Sequence, residues 1–322
     1  MSHYRCAEGR LATGEREFRL VDEAAGVDIT VIPDQGAVWS AFGARDESGN
    51  RMELFHPAEH FTYPGGSPVL FPVTGRSACD GELGFYRHRG TRYPMPIHGF
   101  ARDLPWDVED VAADEAGARI TCSLQDTEET RRVYPYAFRI ALTYRIREGA
   151  VSVEAAVENP GEEPLPFHLG YHPYFRVPIR PDGDRTRCLM RVPSFATWEL
   201  ENLCATGRQV PLDPREAFEP ERALGDETMD RVFAALRPDE GGQVRCWVRD
   251  PEAGYAIEVE FDAREFPVFV VFTSPEAPYA CLEPWTGLPG GLGDDTPSGQ
   301  RAQRVPPGGR VENTVRVRVR RA

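Results

Sequence analysis

The sequence contains no lysine, so all 37 of its basic residues are arginine. Chemistry that depends on a lysine amine is therefore excluded. This removes Schiff-base aldolases and isomerases, and enzymes that attach pyridoxal phosphate covalently. A nucleotide-binding P-loop also requires lysine, so that class is excluded as well. The absence says little about the fold, because a genome with a strong codon bias can produce it in any fold.

The 51 acidic residues outnumber the 37 basic ones, and long apolar runs are missing. The net charge is −14 and the sequence pI is about 5.1. Such a chain repels phosphate backbones, so we expect no nucleic-acid partner. No apolar run reaches the roughly 18 residues that a membrane span needs, and the first residues lack the apolar core of a signal peptide. We therefore expect a cytoplasmic protein with no membrane partner.

Paired metal or disulfide ligands are missing too. The seven cysteines are odd in number and form no Cys-x-x-Cys pair, so the sequence predicts reduced thiols rather than a disulfide framework or a zinc site. His168 and His172 stand four apart, but Gly170 and Pro173 disfavour a helix between them. In an extended chain they would lie roughly 13 Å apart. We therefore expect no metal and no cofactor.

What the sequence has instead is a long series of strand patterns, rich in valine, isoleucine and aromatic residues and broken by glycine, proline and aspartate. Helical patterns are weak, and no linker divides the chain. The sequence predicts one all-β domain over residues 1–322, a large antiparallel sandwich with few short helices. The predicted strands are 27–32, 118–124, 138–146, 151–157, 244–248, 255–261, 268–273 and 310–319, with a hairpin turn at 147–149.

Two residues form a candidate acid and base for proton transfer. His172 lies in the segment 168–175 and Glu283 in 282–286. A histidine and a carboxylate across one pocket can protonate one oxygen while deprotonating another, as sugar ring opening requires. Each sits at the end of a strand-like stretch. The alternative, a core histidine and a loop carboxylate, is equally compatible with the local sequence.

Four further residues are candidates for contacts with a substrate. Arg76 follows an apolar run and could donate to hydroxyls or a phosphate, or lie on the surface after a turn. His98 precedes a glycine, which permits close backbone approach, and Arg102 follows four residues later. His98 is also compatible with a structural turn. Asp230 is either an exposed turn residue or a hydroxyl acceptor in a cleft.

Five segments, in order, resemble the aldose 1-epimerase (mutarotase) superfamily, and most closely its divergent branch near the hexose-6-phosphate mutarotases. The similarity extends over nearly the whole chain, and the segment 305–311 resembles the family's final strand. Galactose mutarotases carry asparagine on either side of the catalytic histidine motif, where this sequence has Tyr171 and Arg176. The matching segments are 65–72, 98–102, 170–175, 229–233 and 282–286.

The resemblance implies a β-supersandwich with an open carbohydrate cleft, in a monomer or homodimer. It also implies roles: Glu283 as base, His172 as acid, and Arg76, His98 and Asp230 as sugar-binding residues. The expected partner is a small-molecule sugar or sugar phosphate, with a free aldohexose preferred. A phosphate would call for several cations, and Arg76, Arg102 and Arg176, which lie near three of the matching segments, could form such a cluster.

Three alternatives to an aldose 1-epimerase stay open at this point. One is a hexose-6-phosphate mutarotase, which would need the arginines near the motifs to converge. The second is a glycosidase-like hydrolase, for which Asp230 and Glu283 would be the paired carboxylates. The third is a non-catalytic carbohydrate-binding protein of the same fold.

Overall fold

The computed structural model describes residues 2–57 and 65–322, and strands make up most of its regular structure. In chain order the first strands are β1 (Tyr4–Arg10), β2 (Arg16–Asp22), β3 (Val27–Ile32), β4 (Val38–Arg45), β5 (Arg51–Glu53), β6 (Val69–Leu70), β7 (Ala78–Cys79), β8 (Glu82–Leu83), β9 (Phe85–His88) and β10 (Thr91–Pro94). The next are β11 (Asp107–Asp114), β12 (Gly117–Gln125), β13 (Arg139–Arg147), β14 (Ala150–Glu158), β15 (Leu165–Phe167), β16 (Gly170–Tyr171), β17 (Tyr174–Arg176), β18 (Leu189–Arg191) and β19 (Ala196–Glu201).

The remaining strands are β20 (Cys204–Pro211), β21 (Arg222–Ala223), β22 (Met229–Ala234), β23 (Gln243–Asp250), β24 (Tyr255–Asp262), β25 (Val268–Thr273), β26 (Tyr279–Trp285), β27 (Gln303–Val305) and β28 (Arg310–Arg321). The helices are short: α1 (Glu128–Val133), α2 (Pro297–Gln300) and 3₁₀ turns at Ala101–Asp103 and Arg185–Arg187. Neither α-helix in the described ranges has the length and apolar character needed to cross a membrane.

Three antiparallel sheets hold most of the strands in the described part of the chain. One contains β1 to β5 in sequential order. A nine-stranded sheet has the order β11-β12-β13-β14-β28-β24-β23-β18-β21. An eight-stranded sheet has the order β20-β19-β22-β25-β26-β16-β6, and β17 also pairs with β26. The predicted all-β antiparallel sandwich with few short helices is confirmed.

The predicted strands are present, and the predicted hairpin joins β13 to β14. Arg147 pairs with Ala150, and the two residues between them have positive φ angles, 51° at Glu148 and 71° at Gly149. Two central residues with positive φ match the right-handed twist of a two-residue hairpin, which is why glycine is favoured there. Two predictions, 27–32 and 268–273, agree with β3 and β25 at both ends.

The main core is shared by the three sheets. Its buried side chains include Ile29 from the five-stranded sheet, Leu142 and Val317 from the nine-stranded sheet, and Val271 and Leu282 from the eight-stranded sheet. Burial of each large apolar side chain contributes about 1.5–3 kcal/mol. The eight-stranded sheet therefore has one face fixed against the core.

The other face of the eight-stranded sheet carries a second, smaller apolar cluster. Val268 and Val270 on β25 belong to this cluster, whereas Phe269 and Val271 belong to the main core. Because side chains alternate between faces, a strand that is buried on both sides reads as the continuous apolar run seen at 268–273. Trp285 and Val232 extend the second cluster toward the candidate site.

Candidate active site

A cavity of about 280 Å³ lies on the second face of the eight-stranded sheet. Its sheet wall follows from strand register: Asp230 of β22 pairs with Phe272 of β25, and Val270 of β25 pairs with Glu283 of β26. Paired residues, and residues two apart on one strand, share a face. The sheet wall is formed by Asp230, Val232, Val270, Phe272, Glu283 and Trp285.

His172 reaches the cavity from the connection between β16 and β17. Gly170 pairs with Trp285 and Tyr174 pairs with Cys281, so His172 lies level with Glu283. A side chain at Gly170 would place its Cβ 2.6 Å from Cδ1 of Trp285, which explains glycine at this close approach.

His172 Nε2 lies 3.3 Å from Glu283 Oε1. The fold therefore brings the candidate acid and base together. Glu283 lies near the end of β26, which continues through Pro284 to Trp285.

The carboxyl group of Glu283 is fully buried. Burial raises its pKa well above the ordinary value, and the nearby charge of Asp230 raises it further. The indole Nε1–H of Trp285 opposes these effects by donating a 3.2 Å hydrogen bond to Oε2 of Glu283. The protonated carboxyl is thus favoured when the cavity holds no substrate.

The imidazole of His172 is also buried, and its ring stacks on Tyr174 with a centroid distance of 4.7 Å. Burial lowers the pKa of His172 well below the ordinary value, and the neighbouring His98 and the charge of Arg102 lower it further. The neutral imidazole is therefore favoured. Burial therefore favours the state in which the one exchangeable proton of the pair is on Glu283 and His172 is neutral.

His98 lines the cavity in a left-handed backbone conformation with φ of 66°. Its Nδ1 accepts a 3.1 Å hydrogen bond from the backbone N–H of Gly75. Burial lowers the pKa of His98 to about 3, with smaller contributions from Arg102 and Arg76. A neutral ring that accepts at Nδ1 carries its proton on Nε2, so His98 can donate to a sugar oxygen.

Gly99 confirms the close backbone approach that its position suggested. Its φ is 75°, and a Cβ at this position would lie 2.1 Å from the carbonyl oxygen of Phe71. The backbone N–H of Phe100 donates to the same carbonyl at 3.0 Å. The turn at 98–100 is therefore fixed against the segment that leads to Arg76.

Arg76 and Asp230 also line the cavity, and both side chains are exposed to its solvent. The atoms packed around Asp230 raise its pKa, and the charge of Arg76 acts in the opposite direction. The two residues form a pair of opposite charge that can donate to and accept from hydroxyls.

Arg102 and Arg176 are not among the residues that line the cavity in the described part of the chain. Arg102 belongs to the 3₁₀ turn Ala101–Asp103, and its Nε lies 3.8 Å from a carboxylate oxygen of Asp103. Its positive charge lowers the pKa of His98 and of His172, although Arg102 itself does not line the cavity. Arg176 is on β17 and is likewise absent from the lining in the described part of the chain.

His168 lies in the interior, apart from the acid and base. A Cβ on Gly287 would lie 2.1 Å from its ring, so the two are in close contact. Burial lowers the pKa of His168 to about 4. The group in the described chain that can hold a metal instead joins His172 with Cys281 and Glu283, a grouping that sequence spacing did not reveal.

Several cavity residues were missed because nothing in their local sequence distinguishes them. The aromatic segment 171–175 contributes side chains both to the core and to the cavity. The structure divides it by alternation: Tyr171 and Phe175 pack in the main core, whereas Tyr174 lines the cavity. Trp285 lies two residues after Glu283 on the same strand. The period-2 spacing from the candidate base is therefore the sequence signal that could have placed Trp285 in the cavity.

Comparison with known proteins shows the family to which the chain belongs. The sequence pattern of the aldose 1-epimerase family matches residues 23–318. The chain belongs to the aldose 1-epimerase family. Among curated relatives, the chromosomal protein LacX of Lactococcus lactis is 25% identical over 256 residues, which cover 76% of this chain and 80% of LacX.

A second relative carries a name that bears on the substrate. The Escherichia coli protein named "Putative glucose-6-phosphate 1-epimerase" is 32% identical over 182 residues, which cover 53% of each chain. Among solved structures, a galactose mutarotase-like protein from Clostridium acetobutylicum has a TM-score of 0.86 at 18% identity, over 99% of both chains. At this identity the structural likeness shows the galactose mutarotase-like fold of the family.

Proposed function

We propose that this chain is an aldose 1-epimerase that interconverts the α and β anomers of a free aldohexose. The proposal rests on one observation, the 3.3 Å separation of His172 Nε2 and Glu283 Oε1 at a cavity that His98, Arg76 and Asp230 also line. An acid and a base at this distance can act on the ring oxygen and the anomeric hydroxyl of one sugar.

In the proposed reaction Glu283 removes the proton of the C1 hydroxyl, and His172 delivers a proton to the ring oxygen. The C1–O5 bond breaks and the C1–O1 bond becomes the carbonyl of the open-chain aldehyde. Rotation about C1–C2 and reversal of both proton transfers close the ring on the other face. His98, Arg76 and Asp230 bind hydroxyl groups that keep the open sugar in place.

Burial gives these proton transfers their direction. A carboxylate with a raised pKa is a stronger base, and an imidazolium with a lowered pKa is a stronger acid. Ring opening leaves Glu283 protonated and His172 neutral, which is the state that burial favours. The reactive state, with ionised Glu283 and protonated His172, has the same number of protons as this favoured state. It therefore forms when one proton moves from Glu283 to His172.

The charge of the cavity favours a neutral sugar over a phosphate. In the described part of the chain Arg76 is the one arginine of the lining, and Asp230 offsets its charge. A phosphate carries about −1.5 to −2 charges at neutral pH and is commonly held by several cations. A hexose 6-phosphate is the second candidate, because the E. coli relative carries that name.

Polarimetry with freshly dissolved α-glucose, α-galactose and α-glucose 6-phosphate tests the proposal, with an aryl glycoside as a fourth substrate. We expect catalysed mutarotation of a free sugar, with kcat/KM at least equal to that for the phosphate. A phosphate preference above about tenfold, or 1.4 kcal/mol, would replace the free sugar by the hexose 6-phosphate. Glycoside cleavage would indicate a hydrolase, and no reaction with any substrate would reject catalysis.

A further inference from the structure

A thiol lies beside the proposed acid and base. Cys281 and Glu283 are two residues apart on β26, and Phe272 and Val270 are their partners on β25. Positions two apart share a face. His172 approaches from the neighbouring connection, and one ligand atom from each of the three residues lies within 4.8 Å of the others.

The arrangement suits a small divalent cation. With bonds of about 2.0–2.3 Å to oxygen, nitrogen and sulfur, two ligand atoms on a tetrahedral zinc ion are separated by roughly 3.3–3.8 Å. The pair His172 Nε2 and Glu283 Oε1, at 3.3 Å, already has this separation. The contacts to the sulfur are no longer than 4.8 Å, so side-chain rotation can close them.

The donor set selects zinc over magnesium or calcium. Imidazole and thiolate are the ligands that zinc prefers, whereas magnesium and calcium take oxygen ligands. The charges also balance: a thiolate, a carboxylate and a dication sum to zero around a neutral imidazole. Cys281 and Glu283 are both fully buried, so an ion that neutralises them removes the cost of burying either anion alone.

We propose that His172, Cys281 and Glu283 form a zinc-binding site at the base of the cavity, and that bound Zn²⁺ excludes the sugar. The ion reaches the site through the cavity, which His172 and Glu283 line. Binding displaces two protons to solvent, one from the thiol of Cys281 and one from the carboxyl of Glu283. The binding of zinc is independent of the proposed function, whereas competition with a sugar rests on it.

Spectroscopy on the reduced, metal-free full-length chain tests binding directly. Co²⁺ added to the wild-type protein should give a thiolate-to-cobalt charge-transfer band at one ion per chain, which Zn²⁺ abolishes. Cys281→Ser and Cys281→Ala should lose the band and weaken Zn²⁺ binding at least about tenfold, measured by competition with a chromophoric chelator. Cys246→Ser is the matched control, because Cys246 is equally buried but lies on β23 in the nine-stranded sheet.

Inhibition of mutarotation supplies the second readout. Zn²⁺ should inhibit competitively with the sugar, and its inhibition constant should rise at least about tenfold in Cys281→Ala relative to Cys246→Ser. Absence of the cobalt band in the wild-type protein would overturn the proposal even if the Cys281 variants do not fold. Unchanged zinc affinity in a folded Cys281 variant would also overturn it. A cobalt band in a protein that catalyses no mutarotation would reject the proposed function and leave the zinc site standing.

Discussion

The indole Nε1–H of Trp285 donates a 3.2 Å hydrogen bond to Oε2 of Glu283, the residue two positions earlier on β26. One strand thus carries both the proposed base and the group that orients it. The bond favours the ionised carboxylate, so it opposes the effect of burial on the pKa of Glu283. The other carboxyl oxygen, Oε1, lies toward His172.

Trp285→Phe should lower kcat by about tenfold or more, because a hydrogen bond to a charged group contributes about 1.5–3 kcal/mol. Loss of the bond should also raise the pKa of Glu283 further, so the alkaline limb of the kcat profile should shift to higher pH. Polarimetry over a range of pH measures both effects. Trp198→Phe is the control, since Trp198 packs in the second apolar cluster but not in the lining. Equal kcat profiles for the two variants would rule out the positioning role of Trp285.

Glu283→Gln should reduce mutarotation by more than about 10² with little change in the free energy of unfolding. The carboxyl group of Glu283 is fully buried. Stability should change little, because burial favours the neutral carboxyl and an amide is also neutral. Glu260→Gln is the control: Glu260 forms ion pairs with Arg245, Arg316 and Arg318 on the nine-stranded sheet, so stability should fall while kcat is kept. Near-wild-type activity of Glu283→Gln would refute the assignment of the base.

His172→Asn and Arg76→Ala should have different kinetic defects. His172→Asn removes the proposed acid and should lower kcat by more than about 10². Arg76→Ala removes a donor to hydroxyls at the cavity wall and should mainly raise KM. Arg132→Ala, at an exposed position on α1, is the control for loss of an arginine. If both site variants changed kcat and KM alike, the separate roles would be wrong.

Chelators should leave mutarotation undiminished. The proposed acid and base are protein side chains, and the reaction needs no bound ion to move either proton. Activity assayed before and after EDTA treatment and desalting checks this expectation. Activity that falls and is then restored by one divalent metal would show that an ion takes part in the reaction.

Acid should destabilise the protein through its buried histidines. Burial lowers the pKa of His168 to about 4, while the unfolded chain titrates near 6.5. The unfolded state therefore binds more protons, and stability falls as the pH drops from about 6.5 toward 4, by up to about 1.4 kcal/mol per pH unit for this residue. His168→Leu should make that slope shallower. Urea unfolding at several pH values gives the free energy of unfolding as a function of pH. A packing change alone would shift this curve by a constant amount, so parallel curves for the variant and the wild type would contradict the expectation.

The sequence alone determined the class of structure and much of its strand content. Alternation along 139–146 and 151–157, and the apolar run 268–273, reflect contacts that each strand makes with a core, so they are visible locally. The hairpin at 147–149 was visible for the same reason, since a two-residue turn depends on its own backbone angles. The candidate acid and base were also proposed from the sequence, through ordered motifs that resemble a family.

Only the tertiary structure decided which of these residues share a site. The separation of His172 and Glu283 depends on the register of β16, β17 and β26, and a local pattern does not specify which strands become neighbours. The same register places Cys281 beside the pair, although its sequence context resembles that of any buried thiol. Burial, which raises the pKa of Glu283 and lowers that of His172, likewise arises from the packing of distant segments around them.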